Sequence, residues 1–320
     1  MRKLILLTLL FAVTSFAGGT SPSANIDTDR MTVSGVSAGG AMAQQIHIAY
    51  SDMFSGAAII AGVPFGCADG SLGTAMARCM AKSDDTLSVT DLAEAIRSAE
   101  KEGRIAATAN LTDDKAWLFH GTLDKTVGVD VTDAAKALYE QFIATDQVDY
   151  VNDVEAGHTF PARGRGNACT ALEAPFVGDC NYDAAGEILN YLYPELKAPG
   201  KEHETALAII TLAGAADAGM SDTAYLFVPP ACVGTDQACP LHLVLHGCAQ
   251  SAVTVGTDFI EQSGYLPWAE ANDIVMAFPQ VAPAALNPYA CWDWWGYTGA
   301  EYRWREGKQM KLITDWIQSL

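Results

Sequence analysis

The sequence predicts an α/β fold with a mostly parallel sheet flanked by helices. Three observations carry this expectation. Short apolar runs of strand length alternate with amphipathic stretches of helix length, the pattern of successive βα units. Half of the 320 residues are apolar and 18% are charged, which supports a large core and is unlike a disordered or collagen-like chain. Glycines punctuate the ends of several strand-like runs, as at Gly35, Gly121 and Gly247.

Arg2 and Lys3 precede an apolar run from Leu4 to Val13, and Ser15-Phe16-Ala17 supplies small residues at a cleavage site. Residues 1–17 therefore read as a secretory signal peptide, and 18–320 as one catalytic domain. The run is too short for a bilayer anchor. Met31–Ser34 is a strand signal, followed by a glycine-rich turn and a helix over Ala41–Tyr50. Ala57–Ala61 reads as a buried strand, and Thr90–Glu102 as an amphipathic helix capped by Thr90. A strand at Ala116–Phe119, a helix at Val131–Ile143, a strand at Val148–Val151 and a helix at Ala184–Leu192 follow. Pro194–Glu204, polar with Pro and Gly, reads as a connection. Strands are expected at Ala224–Val228, Leu241–Leu245 and Ile274–Phe278, and an amphipathic helix at Lys308–Leu320.

The formal net charge of −19 excludes a polyanionic partner such as nucleic acid. Eight cysteines in an exported chain read as disulfides. Proximity pairs Cys67 with Cys79, Cys169 with Cys180 and Cys232 with Cys239, leaving Cys248 and Cys291, although sequence alone leaves other pairings open. No CxxC or HExxH spacing suggests a metal site.

Gly35-x-Ser37-x-Gly39 lies between a strand and a helix, the context in which a G-x-S-x-G turn exposes a nucleophilic serine. Such a serine needs a general base, and the base needs an acid to orient it. Among six histidines, His47 falls within a helix, His203 in the connection and His242 within a strand, while His120 and His246 precede glycines and suit loop shaping. His158 follows a strand within a loop and is the candidate base. Asp124, after the strand at Ala116, is the candidate acid; Asp130 is the alternative, with an N-cap role equally open to it.

An acyl-transfer site also needs two donors aimed at the developing oxyanion. The N–H of Ala38, next to Ser37, is one. The second normally comes from a strand preceding the nucleophile, but here the only suitable segment is Leu241–Cys248, far downstream. Joining the last helix to the segment before Met31 restores the usual order of elements. The expected fold is thus an α/β-hydrolase fold, circularly permuted.

Ser34-Gly-Val-Ser37-Ala-Gly-Gly-Ala-Met42, His120-Gly-Thr-Leu-Asp124, Gly157-His158, Leu245-His-Gly-Cys248-Ala-Gln250 and Cys291-Trp-Asp-Trp-Trp295 resemble the secreted poly(3-hydroxybutyrate) depolymerases of circularly permuted type. This resemblance implies a Ser37–His158–Asp124 triad, an oxyanion hole from the N–H groups of Cys248 and Ala38, and a disulfide between Cys248 and Cys291. It also implies Trp304 as a substrate contact. Trp294 and Trp295 are further candidates for an aromatic groove, against the plainer expectation of core packing.

The expectation is a secreted, extracellular or periplasmic monomer that hydrolyses a polyester or ester substrate without cofactor, metal, nucleic acid or membrane anchor. A feruloyl or acetyl xylan esterase of the same family is the first rival, and a non-catalytic disulfide-braced binding protein the second.

Overall fold

Strand β1 (Asn25–Val36) is exposed or half-buried over its first half and fully buried from Met31 onward, so the chain enters the core just before the glycine-rich turn. The computed structural model describes residues 23–320 apart from Asp85 and Lys201, and the expected leader, residues 1–17, lies outside the described residues. After β1 come α1 (Ala38–Ala49), β2 (Gly56–Ile60), α2 (Leu72–Arg78), α3 (Val89–Lys101), β3 (Lys115–Phe119), α4 (Val129–Tyr139) and β4 (Val148–Val151). Three short strands, β5 (Phe160–Ala162), β6 (Asn167–Ala168) and β7 (Val177–Asp179), precede α5 (Ala184–Leu192). The remainder holds β8 (Ala208–Thr211), β9 (Thr223–Phe227), β10 (Ala238–Leu245), α6 (Ala252–Val255), α7 (Asp258–Gln262), α8 (Tyr265–Ala271), β11 (Val275–Phe278) and α9 (Lys308–Gln318).

Eight strands form one sheet in the order β4-β3-β2-β1-β10-β11-β9-β8, while β5, β7 and β6 make a small separate sheet. The six strands from β4 to β11 run parallel, and β9 and β8 continue antiparallel at one edge. Parallel strands buried on both faces need apolar residues at consecutive positions, as Gly56–Ile60 shows. Alternate side chains serve opposite faces. Ala57, Ile59, Leu118 and Leu243 join the core under α1, α3, α4 and α9. Ala58, Ile60, Trp117 and Val244 join the second core under α5, α7 and α8.

β10, late in the chain, pairs with β1, so segments on both sides of the Pro194–Glu204 connection share one sheet. That connection is fastened to α8 and its C-cap: Lys197 N–H donates to Asn272 Oδ1, and Glu204 N–H to the Glu270 carboxylate. Asn25 and Met31 line a common pocket with Ile317 and Leu320, so the described chain ends meet, as a circular permutation requires.

Two local expectations need correction. Ser88, not Thr90, caps α3, its side chain accepting the Asp91 N–H at 3.2 Å; a hydroxyl reaches the third N–H ahead, and the helix starts one residue before Thr90. Asp130 lies inside α4 rather than capping it, and its carboxylate accepts the Ser83 N–H and hydroxyl instead. The small sheet and β8 carry no sequence signal, because two to four residues are too few to show a period.

The cysteines join as Cys67–Cys79, Cys169–Cys180, Cys232–Cys239 and Cys248–Cys291, and none is free among the described residues. Among those residues no helix is long and apolar enough to cross a membrane.

Candidate active site

In a parallel sheet the carboxyl ends of the strands share one edge, where loops from separate strands can converge. Register fixes which loops meet. Gly35 of β1 pairs with Leu245 of β10 on one side and Ile59 of β2 on the other, which sets the turn at Ser37 beside the turn at His246–Cys248. Phe119 pairs with Ile60 and with Val151, which brings the loops after β3 and β4 to the same edge.

Ser37 sits at φ +57°, outside the conformations a non-glycine residue ordinarily takes, and its N–H donates to Ile60 O at 2.8 Å. The tight turn depends on its glycines. A Cβ on Gly35 would lie 2.1 Å from Gly39 O, and one on Gly39 would lie 2.2 Å from Leu245 O. β1, α1 and β10 therefore approach at a distance that only bare backbone permits, and the serine is lifted clear of the sheet.

The Ser37 hydroxyl donates to His158 Nε2 at 2.8 Å, and His158 Nδ1–H donates to Asp124 Oδ2 at 2.7 Å. The second Asp124 oxygen, Oδ1, accepts the N–H groups of Thr126 at 2.8 Å and Val127 at 3.1 Å. Burial pushes the Asp124 carboxyl up, but His158 and these two N–H groups outweigh it and hold the pKa below the usual carboxylate value. Asp124 is thus an anion fixed in one orientation, with no side-chain exposure to water. His158 is braced by its neighbours: Gly157 N–H donates to Cys169 O, and Phe160 N–H donates to Phe176 O in the small sheet.

Beside Ser37 lies a pocket of about 250 Å³ lined by Val36, Met80, Leu172, Phe176, Cys248 and other residues. Its walls are mainly apolar. Ala38 begins α1, so its N–H has no partner within the helix. Cys248 follows Gly247, whose Cα side faces the Ser37 Cβ, and the Cys248–Cys291 bridge ties this turn to the tryptophan-rich segment.

Trp294, Trp295 and Trp304 are 8%, 9% and 5% exposed and belong to the core; none lines this pocket. Trp304 packs on Phe65 at 5.6 Å and lies between the Arg104 and Arg303 guanidinium groups, at 4.5 and 4.7 Å from its ring. The other histidines have structural partners. His47 bonds Asp114 and Tyr139, His120 bonds Thr132, His203 bonds Glu261, and His242 bridges Thr32 and Ser34 within the sheet. Sequence reasoning missed Met80, Leu172 and Phe176, which reach the pocket from loops without periodic signal. Among the described residues no cluster of side chains is suited to hold a metal ion.

No known family model matches the chain. It is 40% identical over 297 residues to the poly(3-hydroxybutyrate) depolymerase of Delftia acidovorans, an alignment covering 91% of this chain but 60% of that relative's length. It is 33% identical over 316 residues to the polyhydroxybutyrate depolymerase of Talaromyces funiculosus, covering 93% of this chain and 91% of the relative. The structure superposes with a TM-score of 0.87 on the crystal structure of the PHB depolymerase from Penicillium funiculosum, at 33% identity, over 93% of this chain and 98% of that one. The same values hold for a serine-to-alanine PHB depolymerase variant complexed with an R3HB trimer. The chain belongs to the polyhydroxybutyrate depolymerase family, carboxylic ester hydrolases built on an α/β-hydrolase sheet.

Proposed function

We propose that this protein is an exported serine esterase that cleaves poly(3-hydroxybutyrate), or related short-chain polyhydroxyalkanoates and their oligomers, to hydroxy acids. The observation that carries this reading is the unbroken hydrogen-bonded chain from Ser37 through His158 to Asp124, at the edge of an apolar pocket. The Ser37 hydroxyl attacks the ester carbonyl while His158 Nε2 takes its proton, and Asp124 holds the imidazole tautomer and stabilises its cation. The N–H groups of Cys248 and Ala38 receive the oxyanion. His158 returns the proton to the leaving alcohol, and a water activated by the same imidazole then releases the acyl group. These side chains and water complete the chemistry.

The pocket's apolar walls suit the methyl-bearing chain of a hydroxybutyrate unit. The acidic surface has no reason to repel a neutral polyester and every reason to repel its carboxylate products. The four disulfides and the N-terminal sequence support residence in an oxidising, extracytoplasmic compartment. Residues 18–320 act as one catalytic domain and as a monomer, a reading supported by the shared sheet and by a site assembled from one copy.

The test is release of 3-hydroxybutyrate from a polymer suspension and from soluble oligomers, beside methyl ferulate. We expect cleavage of the polyester or its oligomers, and its loss in Ser37→Ala. Activity on methyl ferulate alone, or an active Ser37→Ala, overturns the proposal.

A further inference from the structure

Gly247 begins the turn after β10, and being glycine it leaves the following peptide free to lie either way up. Hydrogen bonds decide where the Cys248 N–H points: the Gln250 N–H donates to the Gly247 carbonyl at 3.3 Å and closes the turn, and two side chains add to it. The Gly247 carbonyl accepts His246 Nδ1–H at 2.7 Å, and the Gly247 N–H donates to Gln250 Oε1 at 2.6 Å. Neither partner can exchange roles. His246 Nε2 accepts the Val281 N–H at 3.2 Å, so the single ring proton resides on Nδ1. Gln250 Nε2 donates to Pro175 O at 2.9 Å and Phe176 O at 3.1 Å, which fixes the amide's orientation.

His246 is 1% exposed, and its ring packs on Trp292 at 5.2 Å. Burial holds its pKa down to about 4, with the bond to Gly247 O opposing, so the ring is neutral near pH 7. In a planar trans peptide the C=O and the next N–H point in opposite directions. With the Gly247 carbonyl turned onto His246, the Cys248 N–H must face away from that ring. The disulfide to Cys291 and the bond from Ala249 N–H to Tyr289 O secure the rest of the turn.

We propose that His246 and Gln250 are positioning residues: His246 holds the Gly247–Cys248 peptide, and Gln250 holds the preceding His246–Gly247 peptide, in the one arrangement that lets the Cys248 N–H donate to the reaction oxyanion. This rests on the reading of Ser37 as nucleophile. His246 lies outside the pocket, and Gln250, at its wall, has its amide engaged by backbone groups; both set the direction of a donor before substrate arrives, so no reorientation is needed as charge develops.

The experiment compares His246→Phe, His246→Asn and Gln250→Met on a soluble ester, p-nitrophenyl butyrate. It also measures inhibition by butylboronic acid, whose tetrahedral serine adduct needs the same donors. We expect His246→Phe to lower kcat about 10²–10³-fold with KM within about threefold, the cost of losing one oxyanion donor. Boronate affinity should fall in parallel. Asparagine keeps a donor near the Nδ1 position and should recover most of kcat. Gln250→Met should lower kcat with little change in KM, which serves if the phenylalanine variant does not fold. Equal kcat for His246→Phe and His246→Asn, an effect confined to KM, or unchanged boronate affinity overturns the proposal. An active Ser37→Ala instead overturns the reading on which it rests.

Discussion

At Ser37, Asp124 and His158 the arrangement depends on hydrogen-bond direction more than on proximity. Asp124 spends one oxygen on backbone N–H groups and the other on His158, so only one imidazole tautomer satisfies it. Asp124→Asn keeps the shape but lets the amide NH₂ face the ring and favour the wrong tautomer. We expect kcat to fall about 10⁴-fold with KM nearly unchanged; steady-state kinetics on a soluble ester would show it, and a loss under tenfold would refute the role. These three residues were legible in sequence because each follows a strand in a loop, and a parallel sheet gathers such loops. The tryptophans were not. Trp304 has the composition of a groove residue, yet the structure encloses it between two arginines and Phe65. Nothing in the sequence brings Arg104 to that ring.

At the scale of elements, the turn between β1 and α1 governs how closely α1 approaches β10. Gly39→Ala would drive a Cβ into the Leu245 and His246 carbonyls at 2.2 and 2.4 Å, both backbone atoms that cannot step aside. We expect a loss of roughly 3 kcal/mol or more in stability, at the upper end for overpacking, read by urea denaturation. Gly73→Ala, on the open side of α2, should be neutral or slightly stabilising by the same measurement, since its Cβ meets only Ser71 Oγ at 3.6 Å. Helices were legible wherever a run was long enough to show a period, as for Ala184–Leu192, whose bounds match. The small sheet that braces His158 was not, since its three strands exist only through pairing with one another.

Across the whole molecule, buried polar groups make stability depend on pH. His242 lies within β10, bonded to Thr32 and Ser34, and burial lowers its pKa to about 3. Its value in the unfolded chain is about 6.5. Above that pH the ring is neutral in both states and adds no pH dependence. Below it the unfolded chain takes up a proton that the fold refuses, so stability falls as pH drops from about 6.5 toward 3. By pH 4 this amounts to on the order of 3 kcal/mol from His242 alone. Asp124 adds a loss below its unfolded pKa, because its folded pKa is depressed. Unfolding midpoints in urea from pH 7 to 4 should fall steeply for the native chain and more gently for His242→Asn. Parallel slopes would refute the assignment.

By itself the sequence determined what local chemistry can determine: the alternating elements, the G-x-S-x-G turn, the loop histidine and aspartate, and the late Leu241–Cys248 segment whose place in the chain pointed to a permuted order. Those features are encoded in short stretches, where propensity, glycine placement and chain order act directly. The tertiary structure decided what depends on groups distant in sequence. It set β10 beside β1 in the register that joins Gly35 to Leu245. It sent the tryptophans to the core and lined the pocket with Met80, Leu172 and Phe176. It also turned His246 and Gln250 onto the two peptides that flank Gly247. The physical reason is the same in each case: a side chain's role depends on which neighbours desolvate it and accept its protons, and only the folded chain supplies them.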